Sequence, residues 1–329
     1  MTKQQTSNRS IQASKKYWDK ANKSYHSKNY SLAKKWYAKA AELRPKKEQT
    51  IFRALIADCE EELGNHSEAL RSLRLIDRTH IKKSFIQIFI GCMQLKLSRP
   101  KLAERAFRKA IKKKPSADAY IFLGSSLCRQ GRFREQKACY QVALRLEPNN
   151  EEAHYNLGVR YRVERQYKKA EKHLRQAIAI DKKYALAYAE LGWVLVHKGL
   201  YPQARNSLRR SVTFDPDNYW TRLYLANANW HLHRLKEAEE QQRAALRINP
   251  SDSDAHAFLG DFLSSEQRGN GEYYLKKAVS LDPNNKLALY YMGKHYYRNY
   301  CDEKARYYLK KAARKGHKTA KKLLIQLSK

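Results

Sequence analysis

Small and helix-breaking residues recur along this chain at a fixed interval of 34 positions. Pro148, Lys182, Pro216 and Pro250 share one phase, and Gly124, Gly158, Gly192, Ala226 and Gly260 share another. A chain with such a register folds as an array of like units, each burying its apolar side on its neighbours instead of in one globular core. Within one unit, Tyr188, Leu191, Gly192, Leu195, Tyr201, Ala204, Leu208 and Ser211 alternate large and small at helical spacing on both sides of a break at Gly199. This predicts two antiparallel amphipathic helices per unit. Gly192 and Ala204 are expected where the two helices approach, and Ser211 where the second helix meets the next unit. Pro216 then opens that unit, because proline has no backbone donor and cannot sit inside a helix.

The register yields about nine units, near residues 14–47, 48–81, 84–116, 117–150, 151–184, 185–218, 219–252, 253–285 and 286–318. Residues 1–13 read as a polar, mobile N-terminus. Residues 319–329 read as a capping helix, with Leu323, Leu324 and Leu327 covering the apolar end of the stack. The second unit is degenerate, marked by Ala57, Gly64, Ala69 and Leu73, and the eighth is one residue short around Gly269-Asn270-Gly271. No long Gly/Ser/Pro linker interrupts the period, so the expectation is a single solenoid that bends at those two units.

The succession of aromatic or Leu, Leu-Gly, Tyr, Gly-x-Tyr, Ala, Phe or Tyr, Ala and Pro, followed from Ala117 to Asp252, resembles the tetratricopeptide-repeat (TPR) family. The resemblance implies an all-α fold, a right-handed α-α superhelix, and a scaffold or adaptor that binds a protein or peptide. In that family the first helix of each unit lines the concave face. The corresponding places here are Arg129, Tyr155, Arg162, Trp193, His197, Trp220, Asn227, Trp230, His231, Tyr290, Lys294, Tyr297 and Arg298, with Ser125, Asp254 and Asp261 beside them. Tryptophans on such a face can grip a peptide. Trp193 and Trp230 can equally pack on the adjacent helix and stiffen the array. Asn22 matches one place of a carboxylate clamp known in chaperone adaptors, but Trp18 stands where the first clamp lysine belongs. Asn156 and Asn227 match isolated rungs of an inner asparagine ladder that Glu190 and Tyr224 interrupt.

The chain carries a formal net charge of +35, and 31 of these charges fall in residues 1–48, 82–116 and 286–329. Lys15, Lys16, Lys34, Lys35, Lys46, Lys47, Lys112, Lys113, Lys114, Lys310, Lys311, Lys321 and Lys322 form the candidate basic patches. Such blocks attract an acidic protein surface. With interleaved tyrosines they are also compatible with RNA or DNA, and the alternative of a nucleic-acid-associated TPR protein stays open. A regulatory subunit of an enzyme complex is a third reading.

No phosphate-binding loop, zinc helix or nucleophile elbow occurs, and the acidic runs Glu60-Glu61-Glu62 and Glu239-Glu240 are expected on solvated helix faces. No catalytic, cofactor or metal residues are assigned. The five cysteines form no CxxC pair, the polar start lacks a signal-peptide core, and the longest apolar run, 85–97, is short and interrupted. These features lead to the expectation of a cytoplasmic, reducing setting, or a nuclear one in a eukaryote, without a transmembrane segment.

Overall fold

The structure is a computed structural model that describes residues 3–45, 48–77, 84–267 and 269–327. Among the described residues the regular elements are nineteen α-helices, and there is no strand. The chain divides into two compact units, Met1–Leu157 and Gly158–Lys329.

In the first unit, α1 (Lys3–His26) pairs with α2 (Tyr30–Glu42), α3 (Gln49–Glu62) with α4 (His66–Asp77), α5 (Ser84–Lys96) with α6 (Pro100–Lys113), and α7 (Ala117–Cys128) with α8 (Phe133–Leu146). Helix α9 (Glu151–Val163) carries the division between the units. The second unit continues with α10 (Tyr167–Ile180). It then pairs α11 (Ala185–His197) with α12 (Tyr201–Phe214), α13 (Tyr219–His231) with α14 (Leu235–Ile248), α15 (Ser253–Ser265) with α16 (Gly271–Leu281), and α17 (Lys286–Arg298) with α18 (Asp302–Arg314). Helix α19 (Lys318–Leu327) lays Leu323, Leu324 and Leu327 on Leu289, Leu309 and Ala312.

One contact recurs in every pair but the seventh. A small residue on the first helix faces a large one placed 16 positions later on the second. In the first unit these are Ala21 and Tyr37, Ala57 and Leu73, Gly91 and Phe107, and Gly124 and Tyr140. In the second they are Gly158 and Leu174, Gly192 and Leu208, and Gly293 and Leu309. A Cβ added at Gly124 would lie 2.5 Å from the Tyr140 ring, and one at Gly192 would overlap Leu208 outright. The large partners are at most 2% exposed, so each contributes about 1.5–3 kcal/mol of burial. The short eighth repeat keeps the contact with 15 positions, Gly260 to Leu275, and brings Gly271 against the backbone of Ser264 and Gly260. The seventh repeat departs from the rule: Ala226 is followed 16 positions later by Gln242, which is 9% exposed.

The turn inside each pair requires one residue in the left-handed region. Glycine supplies it at Gly64, Gly131 and Gly199, whereas Lys28, Ser98, Arg165, His233, Gln267 and Tyr300 adopt it with φ between 50° and 60°. A side chain there carries a steric cost that glycine avoids. Serines on three first helices, midway along α1 and at the start of α5 and α15, close the same pairs from the other end: Ser14, Ser84 and Ser253 donate to the carbonyls of Ala40, Ala110 and Ala278 at 3.0, 3.1 and 2.9 Å.

The acidic run of the degenerate second repeat is not wholly a solvated face: Glu62 is exposed, but Glu60 and the neighbouring Asp58 are buried. Glu60 is only 3% exposed; it is ion-paired with Lys34 of α2 and accepts a hydrogen bond from Asn65 at 2.8 Å. Asp58, also buried, accepts from the Tyr25 hydroxyl and from Lys96 of α5 at 2.9 Å, and Lys96 reaches Glu62 at 3.1 Å. Helix α3 lies between α2 and α5, and its Glu60 and Asp58 turn inward to one lysine from each. Burial penalises the Glu60 carboxylate, but the Lys34 and Asn65 hydrogen bonds and the Lys34 charge outweigh it and hold its pKa below the ordinary value.

Gly192→Ala should destabilise the second unit by about 1–3 kcal/mol through overpacking on Leu208. Arg165→Gly should stabilise it by roughly 0.5–1 kcal/mol by relieving the left-handed turn. Urea unfolding of the two variants would measure both signs, and a stable Gly192→Ala protein would show that the contact tolerates more bulk. Glu60→Gln should cost about 1–2 kcal/mol at neutral pH. The depressed carboxylate stabilises the fold above its unfolded pKa, and that stabilisation is lost as pH falls through the folded value. The Tm difference between wild type and Glu60→Gln should therefore shrink as the buffer is taken below the ordinary carboxylate pKa.

Candidate functional site

In the second unit the first helices of successive pairs, α11, α13, α15 and α17, wall a cavity of about 490 Å3. Helix α13 presents one stripe to it, Trp220, Tyr224, Asn227 and Trp230, spaced three and four residues apart so that they fall on one helix face. Helix α15 presents Asp254, Phe258, Asp261 and Ser265 in the same spacing. Val196 and His197 come from α11, Tyr291 from α17, and Gln242 from the second helix α14. Trp220 is 60% exposed, Trp230 43% and Phe258 38%. Three large aromatic groups thus remain in contact with solvent on one concave wall, although burying them would be favourable.

Six residues singled out from the register, His197, Trp220, Asn227, Trp230, Asp254 and Asp261, are brought together there. Asp261 is held by Lys294 at 2.9 Å and Arg298 at 3.1 Å, so these two register residues serve as its counter-ions. Asp254 accepts a hydrogen bond from Asn285 at 2.6 Å. Beside the cavity, half-buried Trp193 is layered between neighbours: its ring stacks on His197 at 3.5 Å, and the Arg162 guanidinium lies over it at 4.7 Å. Arg162 also pairs with Glu190 at 2.5 Å, a carboxylate whose pKa burial raises despite that cation. Tyr224 meets the far edge of Trp193 with ring centroids 6.4 Å apart.

The remaining register residues lie elsewhere. His231 stacks on Tyr201 at 4.0 Å, and Tyr290 stacks on His317 at 4.1 Å. Burial lowers the pKa of both histidines. Tyr297 is exposed on α17. In the first unit, Arg129 donates to the Leu95 carbonyl at 2.6 Å, and Tyr155 is half-buried on α9. Asn22, the clamp-like residue, accepts from the Tyr37 hydroxyl at 2.8 Å, and Trp18 packs edge-on to Tyr37 and Phe52. Phe258, Tyr291 and Gln242 were not singled out from the sequence. Phe258 stands four residues after Asp254 and three before Asp261, so completing that stripe would have found it.

Among the basic patches of the first unit, Lys15, Lys16, Lys35, Lys112, Lys113 and Lys114 are exposed, and Lys34 is occupied by Glu60. Lys46 and Lys47 lie outside the described residues. In the second unit Lys310, Lys311, Lys321 and Lys322 are exposed, with Lys311 over the Tyr307 ring at 4.4 Å. Among the described residues no helix is long and apolar enough to cross a membrane.

Sequence models of the tetratricopeptide repeat match residues 90–151, 151–184 and 190–253. The type IV pilus assembly protein PilF of Pseudomonas aeruginosa is 26% identical over 152 residues, which are 46% of this chain and 60% of PilF; the chain thus spans less than two thirds of that relative. The crystal structure of the APC/C hetero-tetramer Cut9-Hcn1 superimposes with a TM-score of 0.62 at 20% identity, covering 81% of this chain and 52% of that one. The structure of YrrB, described as a TPR protein with an unusual peptide-binding site, gives a TM-score of 0.50 at 26% identity, covering 56% of this chain and 97% of YrrB. The repeated small-on-large helix pairs, the family models and these structures agree that the chain carries tetratricopeptide repeats, matched by the family models within residues 90–253.

Proposed function

We propose that this protein is a non-catalytic adaptor or assembly scaffold that holds a peptide segment of a partner in the groove of its second unit. The observation that carries this reading is the solvent contact of Trp220, Trp230 and Phe258 on one concave wall. Rigid aromatic side chains deliver large contact area at low entropic cost, and such groups dominate binding energy where they line a pocket. The cavity volume falls in the range of ligand sites. The likeness to YrrB, a TPR protein with an unusual peptide-binding site, points the same way. Exposed lysines at 112–114, 310–311 and 321–322 would draw an acidic surface of the partner by long-range attraction. Five free thiols fit a reducing, cytoplasmic setting; burial pushes the pKa of Cys59 up to about 12 and those of Cys92 and Cys139 up to about 11, which makes these three unreactive.

The two kinds of tryptophan separate binding from packing. Trp220→Ala and Trp230→Ala should leave the thermal midpoint within a degree or two of wild type and weaken capture of the native partner by about tenfold or more. Trp193→Ala should lower the midpoint, because it removes the layer between Arg162 and His197. Pull-down from the native cell with nuclease present provides the readout. Partner capture that is indifferent to Trp220 and Trp230, or that disappears with nuclease and falls steeply with salt, would instead place recognition on the lysine blocks and nucleic acid.

A further inference from the structure

The cavity has a chemical signature that its aromatic walls alone do not reveal. In a chain of net charge +35, the described lining residues include two aspartates and no lysine or arginine. Asp261 already has its counter-ions in Lys294 and Arg298, whereas Asp254, exposed at the wall, is met by the neutral amide of Asn285. Gln242 is more unusual. It occupies the place on the second helix that a large apolar or aromatic residue fills in the other eight repeats, and it is nine-tenths buried at the wall of the cavity. Its Oε1 is buried without a hydrogen-bond partner. An unpaired buried amide oxygen is costly, and a leucine would remove that cost, so the position favours packing less than it favours something brought from outside.

The wall gathers several acceptors of positive charge or of N–H groups: the Asp254 carboxylate, the Gln242 oxygen, and the π faces of Trp220 and Trp230. The Gln242 carboxamide turns about a broad terminal torsion, so its oxygen can swing toward a donor entering the cavity. Resting on the peptide-groove reading above, we infer that the cavity takes an arginine side chain of the bound segment. Only a guanidinium combines a permanent positive charge for Asp254, several coplanar N–H donors that can serve Asp254 and Gln242 together, and a flat face that stacks on indole. A lysine offers charge but no stacking plane, and a leucine satisfies neither acceptor.

The experiment is selection of a displayed random dodecapeptide library on the full-length chain, followed by affinity measurement on the best binder. Arginine should be enriched at one position, and replacing it by citrulline or leucine should weaken binding by about tenfold or more, one guanidinium contact's worth. Asp254→Asn should weaken the arginine peptide by a similar factor while leaving the citrulline peptide unaffected. Gln242→Leu should raise the thermal midpoint and weaken the arginine peptide. Failure to select any peptide that depends on Trp220 and Trp230 would overturn the groove reading itself. Selection of Trp-dependent peptides without arginine, or a Gln242→Leu protein that is less stable and binds as before, would leave the groove standing and overturn the arginine inference.

Discussion

A methylene-scale fit between two helices governs this molecule. In each pair a residue with little or no side chain on the first helix receives a large side chain from the second, and the receiving surface is so close that a Cβ at Gly124, Gly158 or Gly293 would stand 2.5–2.7 Å from its partner's nearest atom. The separation of the helices is thereby set by the backbone on one side and a ring or isobutyl group on the other. Close-packed interiors transmit such dimensions rigidly, so a spacing held from pair to pair is what allows pairs to stack in register. The eighth repeat tests this dependence. With one residue fewer, the contact between Gly260 and Leu275 is retained and the shortening is taken up where α16 begins, with Gly271 against the backbone of α15. Two facing glycines there let the backbones meet without side chains between them.

Charge is organised around the same scaffold in two different ways. In the first unit, lysines of α2 and α5 are drawn into contact with the buried acids of α3, so part of the positive excess in residues 1–48 and 82–116 is spent inside the fold. The lysines at 112–114 close α6, where cations interact favourably with the carbonyl end of the helix. In the second unit the cavity excludes lysine and arginine from its wall, while exposed lysines occupy α18 and α19. A uniform solubilising coat would not show that segregation.

The pairwise architecture was readable because glycine and proline punctuate it and because the small residue recurs at a constant phase. The groove was readable in part, since positions on the first helix of each pair follow from the same phase; this located Trp220, Asn227 and Trp230. It was silent on Gln242, which lies on the second helix and reaches the cavity from below. Trp193 and Trp230 stood as equivalents in sequence, yet the first is layered between Arg162 and His197 and the second is open to solvent, a difference made by a residue of the preceding repeat and by one a turn further along the same helix. Glu60 was misjudged for a related reason. In a degenerate repeat the apolar phase is faint, and a charged residue can be buried only because lysines and an asparagine from outside its own helix meet it, as Lys34 and Asn65 do here.

The placement of Gln242 makes physical sense in a solenoid and would make little in a globular core. Stability here accumulates from neighbour to neighbour, so a repeat with a weaker internal contact is held by the pairs on either side of it. Leu208 before it and Leu275 after it are fully buried, and they supply at the adjoining pairs the packing that the seventh pair lacks. A polar group can then stand at a position that elsewhere is reserved for the core, without the cost spreading beyond one helix pair. The repeat that deviates most from the packing rule is also the one whose first helix carries the exposed tryptophans, so the same pair that gives up apolar burial between its helices presents apolar area to the cavity.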